Sequence, residues 1–100
     1  MFKIIPDPTF DLPVAIPSAG SDPLLLTLEV KRWTRTKLRS VTEGEIAFDE
    51  VVRDATVGWR DADAPFSSQA LTQFLEDYPL ASRAIATEFL AAQTQAKQKN

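Results

Sequence analysis

Regular structure begins as an alternation. From Thr9 to Pro17, Phe10, Leu12, Val14 and Ile16 fall on one side, and Thr9, Asp11, Pro13 and Ala15 on the other. A period of two marks a half-buried strand. Pro13 has no N–H to give to a ladder, so this strand belongs at a sheet edge. Ser18-Ala19-Gly20-Ser21-Asp22-Pro23 is dense in turn formers and interrupts the pattern. Alternation resumes with Leu24, Leu26, Leu28 and Val30 inward and Thr27, Glu29 and Lys31 outward, which predicts an antiparallel hairpin. Alone, a hairpin is marginal in water, so its apolar face needs cover from helices or from a neighbouring subunit.

Beyond Lys31 the period lengthens. Thr34 or Thr36 can cap a short helix carrying Leu38 and Val41 and stopping near Gly44. Thr42-Glu43-Gly44-Glu45 has capping-box spacing. The helix it opens carries Phe48, Val51, Val52 and Ala55 on one stripe, with Trp59 on its extension. Gly58 is placed to end that helix, because glycine takes the left-handed conformation without steric cost. Asp61, Asp63 and Pro65 make a loop, and Ser67 is the N-cap of a helix whose stripe is Leu71, Phe74, Leu75 and Tyr78. Pro79 cannot continue this helix but suits the first turn of another, with Asp77 or Tyr78 at its cap. That last helix, Leu80 to about Ala96, sets Ala81, Ala84, Ile85, Phe89 and Ala92 on one wide face, with Ala86 and Leu90 off it beside Arg83.

The predicted class is therefore α+β. An N-terminal antiparallel β-hairpin, 9–33, is followed by a C-terminal bundle of three to four helices, 36–96, and a flexible tail, 97–100, all within a single domain of 1–100. At 44% hydrophobic and 25% charged residues, a chain of this size supports one core and not two.

Charge changes this picture little in sum and more in layout. The net charge is −3, which argues against a general nucleic-acid binder. Five of the eleven basic residues, Lys31, Arg32, Arg35, Lys37 and Arg39, fall within nine positions, whereas Glu43 to Asp63 is mostly acidic. Such a dipole suits head-to-tail self-association or an oppositely charged partner, and equally a solvated face. No cysteine is present, which fits a reducing cytoplasm. Met1-Phe2-Lys3-Ile4-Ile5-Pro6-Asp7-Pro8 is no signal peptide, and no apolar run approaches the roughly 20 residues that span a bilayer.

Candidate chemistry is sparse. Without histidine or cysteine the usual nucleophile–base pairs and nearly all transition-metal sites are excluded. Gly20, Gly44 and Gly58 are too scattered for a phosphate loop. Asp61-Ala62-Asp63 resembles the start of a calcium loop, but Phe66 and Thr72 stand where glycine and glutamate are needed. Trp33, between Arg32 and Arg35, suits either base stacking or the closing of the core. The reading is of a protein with no catalytic, cofactor or metal site, no nucleic-acid partner and no membrane span.

One set of residues carries a resemblance along most of the chain. It consists of Met1-Phe2-Lys3-Ile4-Ile5-Pro6-Asp7-Pro8-Thr9-Phe10, the hairpin through Leu28-Glu29-Val30-Lys31, Val57-Gly58-Trp59, Phe66-Ser67, Leu71, Leu75-Glu76-Asp77-Tyr78-Pro79, Ala84-Ile85 and Lys99-Asn100. In order and spacing these resemble the tail assembly chaperones of long-tailed bacteriophages and prophages. Leu80 departs from the pattern, where a small residue is expected after the Tyr-Pro pair.

The resemblance implies a non-catalytic protein of the bacterial host cytoplasm. It implies binding of the long helical tape-measure protein, which is kept soluble until tail-tube subunits polymerise around it, and absence from the mature virion. It further implies a longer product by ribosomal frameshifting, which Gln98-Lys99-Asn100 permits if encoded with a slippery heptamer. Gly58, Trp59, Phe66, Leu71, Tyr78 and Pro79 are then motif positions with structural roles. A holdase needs exposed apolar strips and many weak contacts, and strand edges and helical faces are the usual docking places. The predicted partner-binding residues are accordingly Pro13, Ile85, Phe89 and Leu90, with the tail-tube protein and further copies of the chain as additional partners. The alternative role is that of a structural tail-completion or head-tail connector subunit, which would remain in the particle.

Overall fold

The computed structural model describes residues 1–42 and 47–95. Strands β1 (Thr9–Ser18) and β2 (Ser21–Lys31) form the predicted hairpin, with Phe10 opposite Val30, Leu12 opposite Leu28 and Val14 opposite Leu26. The turn between them is shorter than the run of turn formers suggests. Ala19 and Gly20 suffice, with Gly20 at a φ of +76° that a side chain would disfavour. Cross-strand partners share a face, so Leu12, Val14, Ile16, Leu28 and Val30 are all buried on one side of the sheet.

A third strand corrects the sequence reading. Helix α2 (Phe48–Ala55) stops at Ala55, and β3 (Thr56–Arg60) pairs antiparallel with β2 to give the order β1-β2-β3. Leu28 faces Trp59 and Glu29 faces Gly58. The physical reason is the free edge of β2, whose N–H and C=O groups need partners. Thr56, Val57 and Trp59 are β-branched or aromatic and fit a ladder better than a helix. Gly58 is therefore a strand residue, and an added Cβ would meet the Glu29 carboxylate at an ordinary 3.5 Å. β1 remains an edge strand with Pro13 exposed, as its missing N–H requires.

Helix α1 (Arg35–Thr42) is capped by Thr34, whose hydroxyl accepts from the Lys37 N–H at 3.2 Å. Because α1 continues through Thr42, that residue does not cap α2, which instead starts after Ala47 with no side-chain cap. The remainder of the expected capping box, Glu43-Gly44-Glu45, and the expected stop at Gly44 lie outside the described residues, as does the tail 97–100. On α2, Val51, Val52 and Ala55 are buried while Phe48 is 43% exposed. Helix α3 (Ser68–Asp77) has the expected cap, Ser67 Oγ accepting from the Ala70 N–H at 3.0 Å. Helix α4 (Ala81–Thr94) follows a tight turn in which the Ala81 N–H donates to the Tyr78 carbonyl at 2.9 Å, so Leu80 takes the cap position in place of Asp77 or Tyr78.

Helix α4 lies over β1, α2 packs beside α4, and α3 packs beside α2. The buried strip of α4 is Ala81, Ile85, Ala86 and Phe89, with Ala92 exposed. It is turned from the predicted face toward Ala86 because α4 has two neighbours, the sheet and α2. The sheet's other face is open and polar, carrying an ion pair between Arg60 and Asp11 at 2.5 Å.

At the Lys31 end the core is closed by aromatic rings. Phe89 stacks on Phe10 with centroids 6.2 Å apart and meets Trp33 edge-on at 5.2 Å. The Arg32 guanidinium lies 5.1 Å from the Phe10 ring centre and the Lys37 ammonium 4.7 Å from that of Trp33, where the ring faces attract cations. The Gln93 side chain accepts from the Trp33 N–H at 3.0 Å and donates to its carbonyl at 3.1 Å, replacing a missing strand partner. Trp33 is thus a buried core ring, not a platform for a base.

Candidate functional site

The four predicted partner-binding residues do not form one surface. Ile85 and Phe89 are each 1% exposed and belong to the core, Leu90 is half-buried against it, and Pro13 lies on the exposed edge of β1. The physical reason is that the hairpin's apolar face needs cover, and the largest fully buried side chains of α4 are Ile85 and Phe89.

Exposed apolar side chains stand instead on the N-terminal segment, at Phe2, Ile4 and Ile5, and around the hairpin tip. Leu24 is 72% exposed, Leu25 66% and Leu80 59%. Between the tip and α3 runs a cleft of about 540 Å³, walled by Ile16 and Leu24–Leu26 on one side and by Gln73, Phe74, Asp77 and Tyr78 on the other. A second recess adjoins it at Ser18, Asp77 and Tyr78 and continues to Pro79 and Leu80.

The cleft is built on aromatic residues that three different elements bring together. Trp59 comes from β3, and its indole N–H donates to the Ala64 carbonyl at 2.8 Å, which fastens the loop after the strand. Its ring meets Phe66 edge-on at 5.1 Å and Phe74 at 6.0 Å, and Phe74 in turn lies 5.2 Å from Tyr78. Of the motif positions, Trp59, Phe66 and Tyr78 thus belong to one cluster at the cleft. Leu71 is buried on α3, Pro79 sits in the turn before α4, and Gly58 lies away from the cleft opposite Glu29. Sequence reasoning missed Leu24, Leu25 and Leu80. The available signal was the unbroken run Leu24-Leu25-Leu26, in which Leu25 violates the alternation.

Electrostatics divides the molecule. Asp61, Asp63 and Asp77 line the cleft, and among the described residues no lysine or arginine does. Asp61 is set by a left-handed turn at φ 65°, and Gln73 donates to both carboxylate oxygens of Asp77 at 3.1 Å. Lys31, Arg32 and the cations of α1 lie at the other end of β2. There the Lys37 ammonium, 2.7 Å from Asp54, holds that carboxyl below its ordinary value by a hydrogen bond, against partial desolvation and with help from the charge of Lys31. Arg60 on the open sheet face is held above its ordinary value, first by its hydrogen bond to Asp11.

Among the described residues no group of three or more acidic side chains is placed to hold a metal ion, and no helix is long and apolar enough to cross a membrane. A family model described as phage tail assembly chaperone matches residues 1–100. The chain belongs to that family. Comparison with curated proteins and with solved structures gave no match. For a tail assembly chaperone the partners are phage tail proteins.

Proposed function

We propose that this chaperone binds the tape-measure protein in the host cytoplasm and keeps it soluble during tail assembly, and that the cleft between hairpin tip and α3 is where it does so. The observation that supports this reading is the concentration of exposed Leu24, Leu25, Tyr78 and Leu80 around the apolar cleft and its adjoining recess. Monomeric proteins seldom leave such a patch uncovered unless something docks there. A helix laid into the cleft would bury its apolar stripe against Leu26, Trp59 and Phe74, and lysines or arginines flanking that stripe would meet Asp61, Asp63 and Asp77. Each contact is small, so many copies along a long client supply the hold, and polymerising tail-tube subunits can displace them one at a time. Pro13 on the β1 edge and Leu90 on α4 are secondary contacts.

The chaperone is non-catalytic in this reading and leaves before the virion is complete. Co-expression tests it. The intact chain raises the soluble yield of the tape-measure protein, and Leu24→Glu with Leu80→Glu, both exposed positions, abolishes the gain. No gain from the intact chain would refute the client, whereas full gain from the variant would refute the cleft. Mass spectrometry of purified virions finds none of the chain, and finding it there would favour a connector role. A frameshifted longer form requires the slippery heptamer at Gln98-Lys99-Asn100, which the gene's codons settle.

A further inference from the structure

The aromatic rings at the two ends of the molecule differ in what faces them. At the closed end the Phe10 and Trp33 rings each hold a cation of the chain, Arg32 at 5.1 Å and Lys37 at 4.7 Å. At the cleft, Trp59, Phe74 and Tyr78 follow one another with centroids 6.0 and 5.2 Å apart, and among the described residues no lysine or arginine lines the space they share. Arg60, next to Trp59 along the chain, is drawn to the open sheet face by Asp11. Helix α3 adds negative charge against its own dipole. Glu76 and Asp77 occupy its last turn, which holds no basic residue, although the C-terminal end of a helix already carries about half a negative charge. Gln73 donates to both Asp77 oxygens at 3.1 Å, and this neutral amide orients the carboxylate without cancelling its charge. Ring faces, an oriented carboxylate and an uncompensated helix end thus meet at one cleft, and a cation stabilises all three.

We propose that the cleft selects arginine: a guanidinium of the docked client segment lies on the face of Tyr78 and donates to the Asp77 carboxylate, with Asp61 and Asp63 adding to the negative field along the rim. The inference rests on the client reading above, and adds to it the chemistry that picks one stretch of a long helix over another. Arginine suits the site better than lysine. Its flat, weakly hydrated guanidinium can stack on a ring and present a fork of N–H donors together, whereas an ammonium is a compact, strongly hydrated charge. The wall formed by Ile16 and Leu24–Leu26 takes the apolar side chains of the same helix, whose residues one turn apart stand roughly 5–6 Å from each other. A matching segment therefore carries an apolar stripe with an arginine one turn along at its edge. Glutamate or aspartate at that place would meet like charge, so such stretches are rejected.

Fluorescence anisotropy of labelled amphipathic helical peptides, titrated with the full chain, tests the selection. The peptides share one leucine stripe and differ only at a single flanking position, which is arginine, lysine or glutamine. The arginine peptide binds about tenfold more tightly than the glutamine peptide, with the lysine peptide between them. Asp77→Asn and Tyr78→Leu, both at exposed positions, each remove most of the arginine preference and leave the affinity for the glutamine peptide unchanged. Circular dichroism confirms that each variant remains folded. Equal binding of the arginine and glutamine peptides overturns the proposal, as does a preference that survives both substitutions, and either result leaves the cleft standing as the client site. Leu24→Glu with Leu80→Glu abolishes binding of all three peptides. Binding that persists in that variant, or no binding of any peptide by the unaltered chain, overturns the cleft reading and the arginine anchor together.

Discussion

The two ends of strand β2 are built from the same alternation and end in opposite states. At the Lys31 end, Leu28 and Val30 are fully buried, α4 brings Phe89 over them, and Phe10 and Trp33 close the rings with cations on their outer faces. At the tip, Leu24 is on the same face as Leu28 yet stands 72% exposed, because the facing α3 leaves a cleft there. An apolar residue in a strand is thus core or contact surface according to what covers it. One end of this sheet holds the fold together, and the other leaves Leu24 and Leu25 uncovered.

The widest separation between the ends is expected in stability. Phe89→Ala should cost about 3–5 kcal/mol by chemical denaturation, since it empties a fully buried site. Leu24→Ala should change stability by no more than about 0.5 kcal/mol while weakening client contact. Equal losses at the two positions would break the comparison.

Trp59→Ala sharpens it, because this residue belongs partly to each end. It removes two aromatic contacts, worth roughly 0.5–1.5 kcal/mol each, and a hydrogen bond worth about 1 kcal/mol. The expected loss of about 2–4 kcal/mol exceeds that at Leu24 and does not exceed that at Phe89, and it should be accompanied by loss of docking at the cleft. Normal docking by a destabilised Trp59→Ala chain would separate the aromatic cluster from the site.

Another small effect lies among the charges of the closed end. Asp54 is held below the ordinary aspartate value of 3.8, first by its hydrogen bond from Lys37. A depressed folded-state value means that the stabilisation is present in full well above 3.8 and is lost as pH falls below it. Asp54→Asn should therefore cost less than about 1 kcal/mol at neutral pH, given the exposure of the pair. Thermal melts should show the gap from the unaltered chain closing in acid. A gap that widens in acid would reverse the assignment.

Much of the fold was legible before any coordinates. The hairpin faces, the edge position of the Pro13 strand, the Ser67 cap and the helix break at Tyr78-Pro79 each follow from local rules of period, donor loss and capping. The stop of α2 at Ala55 did not follow, since Phe48, Val51, Val52, Ala55 and Trp59 also satisfy a helical stripe. The site was less legible still. Ile85 and Phe89 look like a contact face until the sheet beneath them is placed, and Leu24 looks like core until its cover is found missing.

The amino-acid sequence by itself determined which side chains share a face, where chain direction changes and which family the protein belongs to, because these depend on residue types at fixed short spacings. Tertiary structure alone decided that Thr56–Arg60 is a strand and that Leu24 and Tyr78 line one cleft, with Leu80 in the adjoining recess, while Phe89 is sealed away. Those outcomes depend on whether an element distant in the chain satisfies an open edge or covers an apolar face, and short-range spacing holds no information about that.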